Sequence, residues 1–583
     1  MKKIFKSIEF YCAIGILICF SILHYGQIRV ENVVLRHGNT EKQTTLPISQ
    51  NMDAGEWFNV RFSISNPLNI SYDLNIIPDD CAESMTVNGF VFSLEGYSDK
   101  CNFNKGFWVP DSVTSPHRVG NRTNYEVLLV NKGGIAGINV FPKVDSILLF
   151  LLKFMIALLV GVIVILVAKR LRLNTFLIAC ILAGVLLRFA MFYAMPYTQF
   201  SMDVEGHLAY IQYIIDNHSI PSAKDCWSCY HPPVYYASVI PSFMVSGLID
   251  YNSCSGAQAF SLILSIILLV CGLFLLKEFV SGAPLGIASV LWTVWPLLLL
   301  VAPRIGNDQL FYALHVLCVV AGFNYIKNGN GNHLVVAVVC AALAVWTKST
   351  GYVTLGLVML FTIFGFVKTN QLHRPTKTEI AGWILLALVF VSLVLIKIFS
   401  NGELVANINS LHSSLKVENE AKNFLYFDMK SFLTEPYTNG WVDGQGREYF
   451  FNYAFKSSLF GEWKLVDTAV GRTLASLISL SLLGLIVFAI RGWWKTKMNI
   501  YHWILFIQGI LFFVALVFLR YKYSYACSAD FRYILPVLLS FLPYVGFGVY
   551  QEEYSLKWKV LGFITVSIFA VCSVMLMSFI FVT

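Results

Sequence analysis

From residue 147 onward the chain carries one apolar run after another, at about 147–168, 173–195, 256–277, 283–302, 307–326, 332–347, 351–367, 380–398, 472–490, 499–519, 531–549 and 557–581. One more run, about 8–25, follows the basic start Lys2, Lys3 and Lys6. A bilayer core is about 30 Å thick and takes about 20 apolar residues of helix. Within it every backbone N–H and C=O needs a partner inside the protein, which admits only helices and closed barrels. Runs of this length predict an all-α polytopic membrane protein with about 13 transmembrane helices. The composition agrees, since 13% of residues are charged, against about 25% in soluble domains.

The basic residues orient the runs. Lys169, Arg170 and Arg172, then Lys277, Lys327, Lys368, Arg374 and Lys377, then Arg491, Lys495 and Lys497, then Lys557 and Lys559 all fall in short loops on one side. Cytoplasmic loops are enriched in Lys and Arg, so these loops are placed inside and the N-terminus with them. The scheme requires residues 233–249 to form a juxtamembrane helix and not a span. No small-residue cleavage site follows the first run, which predicts an uncleaved helix. The net charge of +8 is therefore an orientation signal and not a nucleic-acid stripe. The absence of a Gly-rich phosphate loop or dinucleotide fingerprint argues against a nucleotide-driven machine.

Four segments follow: a membrane helix over 1–26, an extracytoplasmic insert over 27–145, a second helix and inner turn over 146–172, and a helical core over 173–583 with outer loops at 196–255 and 400–471. The insert alternates at Trp57-Phe-Asn-Val-Arg-Phe-Ser-Ile-Ser. Turn signals at Asn66-Pro67, Pro78-Asp79-Asp80, Asn88-Gly89 and Lys132-Gly133-Gly134 space its short strands as a β-sandwich does. Its Trp57, Tyr97 and Trp108 read equally as core or as a recognition surface. Of thirteen cysteines, Cys81, Cys101, Cys226, Cys229, Cys254 and Cys527 fall outside in this topology, where disulfides persist. Sequence proximity pairs Cys81 with Cys101 and Cys226 with Cys229.

The outer loop Ser201–Ile240 is the densest polar stretch between two apolar regions. Asp203, Glu205, His207, Asp216, His218 and His231 stand within it, and such a set at a membrane boundary costs desolvation unless it lines a wet cavity. Asp203 precedes the amphipathic series Leu208, Ile211, Ile214, Ile215. It reads as a helix N-cap or as a general base that accepts a hydroxyl proton. His231-Pro-Pro233 holds a histidine at a rigid entry to a helix. Glu205, His207 and His231 are the candidate metal ligands, at a spacing that matches no specific metal signature. Cys226-Trp-Ser-Cys229 lacks the βαβ context of a redox motif, which favours a local disulfide. Arg304, Lys348, Arg520, Lys522 and Arg532 sit near the outer ends of runs, against the positive-inside bias. They read as snorkelling side chains or, for Arg304, Lys348 and Arg532, as a phosphate cradle. The long outer loop carries Trp441, Asp443, Glu448 and Trp463, and loops of that length are usually functional.

Taken together, Arg188-Phe-Ala-Met-Phe, Asp203-Val-Glu205, His231-Pro-Pro-Val-Tyr-Tyr236, Arg304 with Asn307-Asp308, Lys348-Ser-Thr-Gly351 and Asp530-Phe-Arg532-Tyr533 resemble the GT-C superfamily of polyprenyl-phosphate-sugar-dependent glycosyltransferases. Protein O-mannosyltransferases and lipid A aminoarabinose transferases are the groups most similar, over about residues 173 to 583. The resemblance departs at Val204, which separates two acids that are adjacent in the mannosyltransferases, and at the N-terminal helices with their β-domain. It implies a GT-C-like helical core in a multi-pass cell membrane, a bacterial inner membrane by prior, with an extracytoplasmic active site. It implies inverting transfer of a sugar from a polyprenyl-phosphate donor to a hydroxyl on a glycan, lipid or protein, with Asp203 as catalytic residue. Glu205, His207, His231, Tyr235, Arg304, Asn307, Asp308, Lys348 and Arg532 become substrate-binding candidates. A divalent ion on Glu205, His207 and His231 stays open as a cofactor, and nucleic acid is not an expected partner. The rival classes are a transporter or flippase of lipid-linked sugars, which would want internal repeats and broken helices, and a non-catalytic membrane scaffold.

Overall fold

A computed structural model describes residues 8–26, 28–44, 46, 48–78, 80–94, 101, 113–118, 121–132, 135–143, 147–195, 197, 203–248, 253–368, 375–399, 416–438 and 446–580. Tyr97, Trp108, Trp441 and Asp443 lie outside these residues. The chain divides into two compact units, Met1–Ile163 and Val164–Val582.

The first unit holds helix Ile8–Gly26, most of helix Ile147–Arg170, and ten strands between them. These are β1 (Arg29–His37), β2 (Thr40–Gln43), β3 (Ile48–Asn51), β4 (Trp57–Ser65), β5 (Tyr72–Pro78), β6 (Cys81–Val87), β7 (Phe90–Ser93), β8 (Val113–Arg118), β9 (Arg122–Val130) and β10 (Ile135–Lys143). They form two antiparallel sheets, in the orders β2-β1-β4-β9-β6-β7 and β3-β10-β5-β8. Period-two alternation decides what is buried. Phe58, Val60, Phe62 and Ile64 of β4 join Leu74 and Ile76 of β5, Val127 of β9 and Ile138 of β10 in one core. Trp57, left open by the sequence, is 53% exposed. A disulfide joins Cys81 to Cys101.

Nine helices among the described residues are long and apolar enough to cross a membrane. The other four expected spans appear as shorter apolar helices, Ile8–Leu23, Gly282–Val294, Gly331–Val345 and Gly351–Gly365. The run at 283–302 breaks at Trp295, which takes φ −58°, ψ 121° before Pro296. Proline disfavours helical backbone in the residue before it and supplies no N–H. The run at 531–549 likewise opens on 3₁₀ turns, Ala526–Ala529 and Phe531–Val537, before helix Leu538–Val549. Residues 233–249 form a helix over Val234–Leu248 with Pro241 inside it.

Backbones meet directly where Ala469–Lys495 crosses Leu538–Val549. A Cβ on Gly492 would lie 1.9 Å from the Tyr544 carbonyl oxygen, and one on Gly548 would lie 1.8 Å from that of Phe488. Lipid offers no hydrophobic drive for helix association, so close van der Waals approach at small residues does that work. This crossing braces the segment that carries Asp530 and Arg532.

Candidate active site

Asp203 stands at the N-terminus of helix Val204–Asn217 with φ 53°, ψ 19°, a left-handed conformation. It is the N-cap residue by position, and the His207 N–H donates to its carbonyl oxygen at 2.9 Å, but its side chain makes no capping hydrogen bond, so the capping role expected of that side chain is corrected. The left-handed backbone aims the carboxylate away from the helix N–H groups, and Asp tolerates that conformation better than most residues. The freed carboxylate faces Arg532, whose Nη2 is 4.0 Å from Asp203 Oδ2, and Asp203 stays 44% exposed. It is therefore open to a substrate on one side and to a cation on the other.

Arg532 is built in tightly. Its Nε lies 2.9 Å from Asp530 Oδ2, its backbone N–H donates to Asp530 Oδ1 at 3.0 Å, and its Nη2 donates to the Tyr533 hydroxyl at 3.3 Å. Tyr312 donates a hydrogen bond to its carbonyl oxygen. Lys348 Nζ pairs with Asp308 and lies 4.7 Å from the Tyr533 ring centroid. Arg304 differs from both. It forms no ion pair with a carboxylate among the described residues, and its guanidinium lies 4.3 Å over the Trp463 ring; its Nε, like that of Arg532, is buried without a hydrogen-bond partner. Burial first, and then repulsion from Arg532, pull Arg304 down to about 10. Lys348 is lowered by burial, with Asp308 opposing.

Three turns are stitched together beneath these charges. The Asn307 amide donates to the Thr347 carbonyl at 3.2 Å. The Gly306 N–H donates to the Tyr235 hydroxyl at 2.9 Å, and the Val234 N–H donates to the Trp346 carbonyl at 3.1 Å. Asn307 and Tyr235 thus hold the loops that present Arg304, Asp308 and Lys348.

His207 and His231 belong to an aromatic stack. Their ring centroids are 5.7 Å apart, His207 Nδ1 is 2.8 Å from the Tyr236 hydroxyl, and Tyr236 stacks on Tyr210 at 3.7 Å. The Tyr210 hydroxyl donates to the His231 carbonyl at 3.2 Å. Burial pulls His207 down to about 4 against the opposing pull of Asp203 and Asp308. It also lowers His231 well below the ordinary imidazole range. Both rings are neutral near pH 7 and act as packed hydrogen-bonding groups. Glu205 is exposed and makes no hydrogen bond or ion pair with a described residue. Among the described residues no group of three His, Cys, Asp or Glu side chains is arranged to hold a metal ion. A disulfide closes Cys226 onto Cys229 beside this stack.

Several neighbours were not singled out in the sequence. Asp530 shows in the sequence only within Asp530-Phe-Arg532-Tyr533, where an acid two residues before an arginine is a visible signal. Glu462 carries no signal of its own in the sequence. It is buried, accepts a hydrogen bond from Tyr453, and lies within electrostatic reach of Asp530, Arg532 and Asp203. Arg520, one of the cations expected outside, instead ties down the segment before helix Ala421–Leu425, with Nη1 donating to Asn419 Oδ1 at 2.9 Å.

No protein-family model matches the chain, and no curated protein sequence matches it. Among solved structures, the cryo-EM structure of the arabinosyltransferase EmbB from Mycobacterium smegmatis aligns over 92% of this chain and 53% of that one, at 11% identity and a TM-score of 0.32. The chain spans about half the length of that structure, and an overlap at this level specifies neither substrate nor reaction.

Proposed function

We propose that the chain is an integral membrane glycosyltransferase that moves a sugar from a polyprenyl-phosphate donor to a hydroxyl acceptor on the extracytoplasmic face, with inversion. The observation that carries the reading is the meeting of an uncapped, half-open carboxylate, Asp203, with Arg532 and a second, partly buried arginine, Arg304, that has no carboxylate of its own. A glycosyl transfer of this kind needs a base for the acceptor proton and fixed positive charge where the leaving phosphate gathers its electrons.

The roles follow from the pairings. Lys348 is already neutralised by Asp308, so it shapes the cradle more than it charges it. Arg304 is the cation with charge to spare, and Trp463 holds its planar fork flat for a phosphate oxygen. Arg532 reaches from Asp530 toward Asp203 and links the phosphate side of the site to the base. The acceptor oxygen attacks the anomeric carbon opposite the phosphate while Asp203 takes its proton. Tyr235 and Asn307 fix the loops, and His207 and His231 wall the site. Glu205, exposed beside Asp203, meets the acceptor in this reading.

The test uses the purified protein in lipid nanodiscs and undecaprenyl phosphate as the probe of the leaving group. Wild type should bind it, and Arg304→Ala should weaken binding about 10- to 100-fold, the cost of one charge-assisted hydrogen bond in a buried site. Unchanged binding in Arg304→Ala would remove the phosphate cradle from this reading. A transporter would share the binding but would release no free lipid phosphate from a polyprenyl-phosphate sugar.

A further inference from the structure

The charges of the site do not balance if every carboxyl is ionised. Asp203, Asp308, Glu462 and Asp530 face three cations, Arg304, Lys348 and Arg532. A phosphate would then enter a field with an excess of negative charge. One carboxyl has the geometry of an acid. Glu462 is 7% exposed and has no cation paired to it among the described residues. Tyr453 donates to its Oε1, and no described group donates to its Oε2.

The chain builds this position deliberately. Helix Phe450–Phe460 ends at Gly461, with φ 63°, ψ −147°, a region open essentially to glycine alone. A Cβ there would lie 2.3 Å from the Trp463 ring. The turn therefore sends Glu462 toward Tyr453 and Asp530 while Trp463 lies under Arg304. The same helix is tied to the Arg532 segment, because the Phe531 N–H donates to Ser457 Oγ at 3.0 Å.

We propose that Glu462 is a further catalytic residue, the acid that meets the departing phosphate and hands it a proton. The inference rests on the glycosyl-transfer reading. The C1–O bond breaks with its electron pair left on the phosphate oxygen, and the proton on Glu462 Oε2 passes to that phosphate. The bond from the acceptor oxygen to C1 forms as the acceptor proton passes to Asp203. The lipid phosphate leaves as a monoanion, Glu462 is left ionised and Asp203 neutral. Water then discharges Asp203 and reloads Glu462. Burial, and next to it the Asp530 carboxylate, raise Glu462 to about 8 against the pull of Arg532, so the acid form persists at neutral pH.

The experiment follows kcat and KM from pH 5.5 to 9.5 in nanodiscs, for synthetic undecaprenyl-phosphate mannose, glucose and arabinose, reading released undecaprenyl phosphate. Glu462→Gln keeps the acceptor for Tyr453 but has no proton to give. It should lose about 10²–10⁴-fold in kcat, the usual share of an acid or base, with KM and undecaprenyl phosphate binding within about threefold. Wild-type kcat should fall as pH rises through about 8, and Glu462→Gln should lose that limb. The groups facing Glu462 are Tyr453, Cys527, Asp530, Arg532, Tyr533 and Asp203. Glu462→Asp retains the acid one methylene short and should keep the limb at reduced kcat. A Glu462→Gln enzyme within threefold of wild-type kcat, or with the limb intact, overturns the inference while Asp203→Asn and Arg304→Ala still test the reading. Wild-type protein that neither binds undecaprenyl phosphate nor releases it overturns both.

Discussion

Replacing Asp203 by Asn removes the proposed base and almost nothing else, and the structure permits the sum. The side chain makes no capping bond, so no cap is lost. The backbone sits at φ 53°, where Asn is as well tolerated as Asp. The contact with Arg532 spans 4.0 Å with Asp203 44% exposed, and an ion pair so open contributes about 0–1 kcal/mol. Arg532 keeps Asp530 whatever happens at Asp203. The stability loss should therefore stay under about 1 kcal/mol. Loss of a general base costs about 10²–10⁴-fold in rate, or about 2.7–5.4 kcal/mol of barrier at 1.36 kcal/mol per decade. Asp203→Gly adds a control: it suits the left-handed backbone and should match Asp203→Asn in both stability and inactivity. Asp203→Ala should lose a further 1–2 kcal/mol or so of stability from the backbone alone. The assay is release of undecaprenyl phosphate from a polyprenyl-phosphate sugar, beside a thermal melt of each variant. Near wild-type turnover in Asp203→Asn, with Glu205→Gln dead, would move the base to Glu205. Wild-type turnover in both would take this loop out of the chemistry.

Lys348→Met should destabilise the protein by about 1–3 kcal/mol because Asp308, 19% exposed, is left without its partner, and Lys348→Met with Asp308→Asn should recover most of that loss in a chemical-denaturation series. Gly461→Ala should displace Trp463 from beneath Arg304, since its Cβ would sit 2.3 Å from the ring, and should weaken undecaprenyl phosphate binding at least tenfold or so, the value of a charge-assisted contact; normal binding would detach Trp463 from the site. Replacing Cys81 and Cys101 by Ser should cost the β-domain about 3 kcal/mol, as expected for a bridge across 20 residues, measured by protease resistance of that domain.

Hydropathy carried most of the fold. Apolar runs of about 20 residues and the alternation of β4 are local properties, and local properties survive in a sequence. The break at Trp295 was also local, written in Pro296, but a smooth apolar run concealed it. Arg304, Lys348 and Arg532 stood out as candidates because cations at helix ends expected to face outward run against the charge bias. Their partners were not. That Lys348 is bound to Asp308 while Arg304 has no carboxylate depends on how distant turns meet. Glu462 was hidden for a different reason: an acid beside a tryptophan in a long polar loop reads as solvated, and only tertiary packing buries it.

The parts of the site lie far apart along the chain, and ribosomes deliver them in order. Asp203 is made first, then Arg304 and Lys348, then Glu462, and the pair Asp530 and Arg532 near the end. A nascent chain halted after Lys522 would hold Asp203, Asp308 and Glu462 with Arg304 and Lys348, and would lack the arginine that bridges them. On the proposed roles Arg532 joins base to phosphate cradle, so transfer would begin only once the segment Phe531–Val537 had been made and packed.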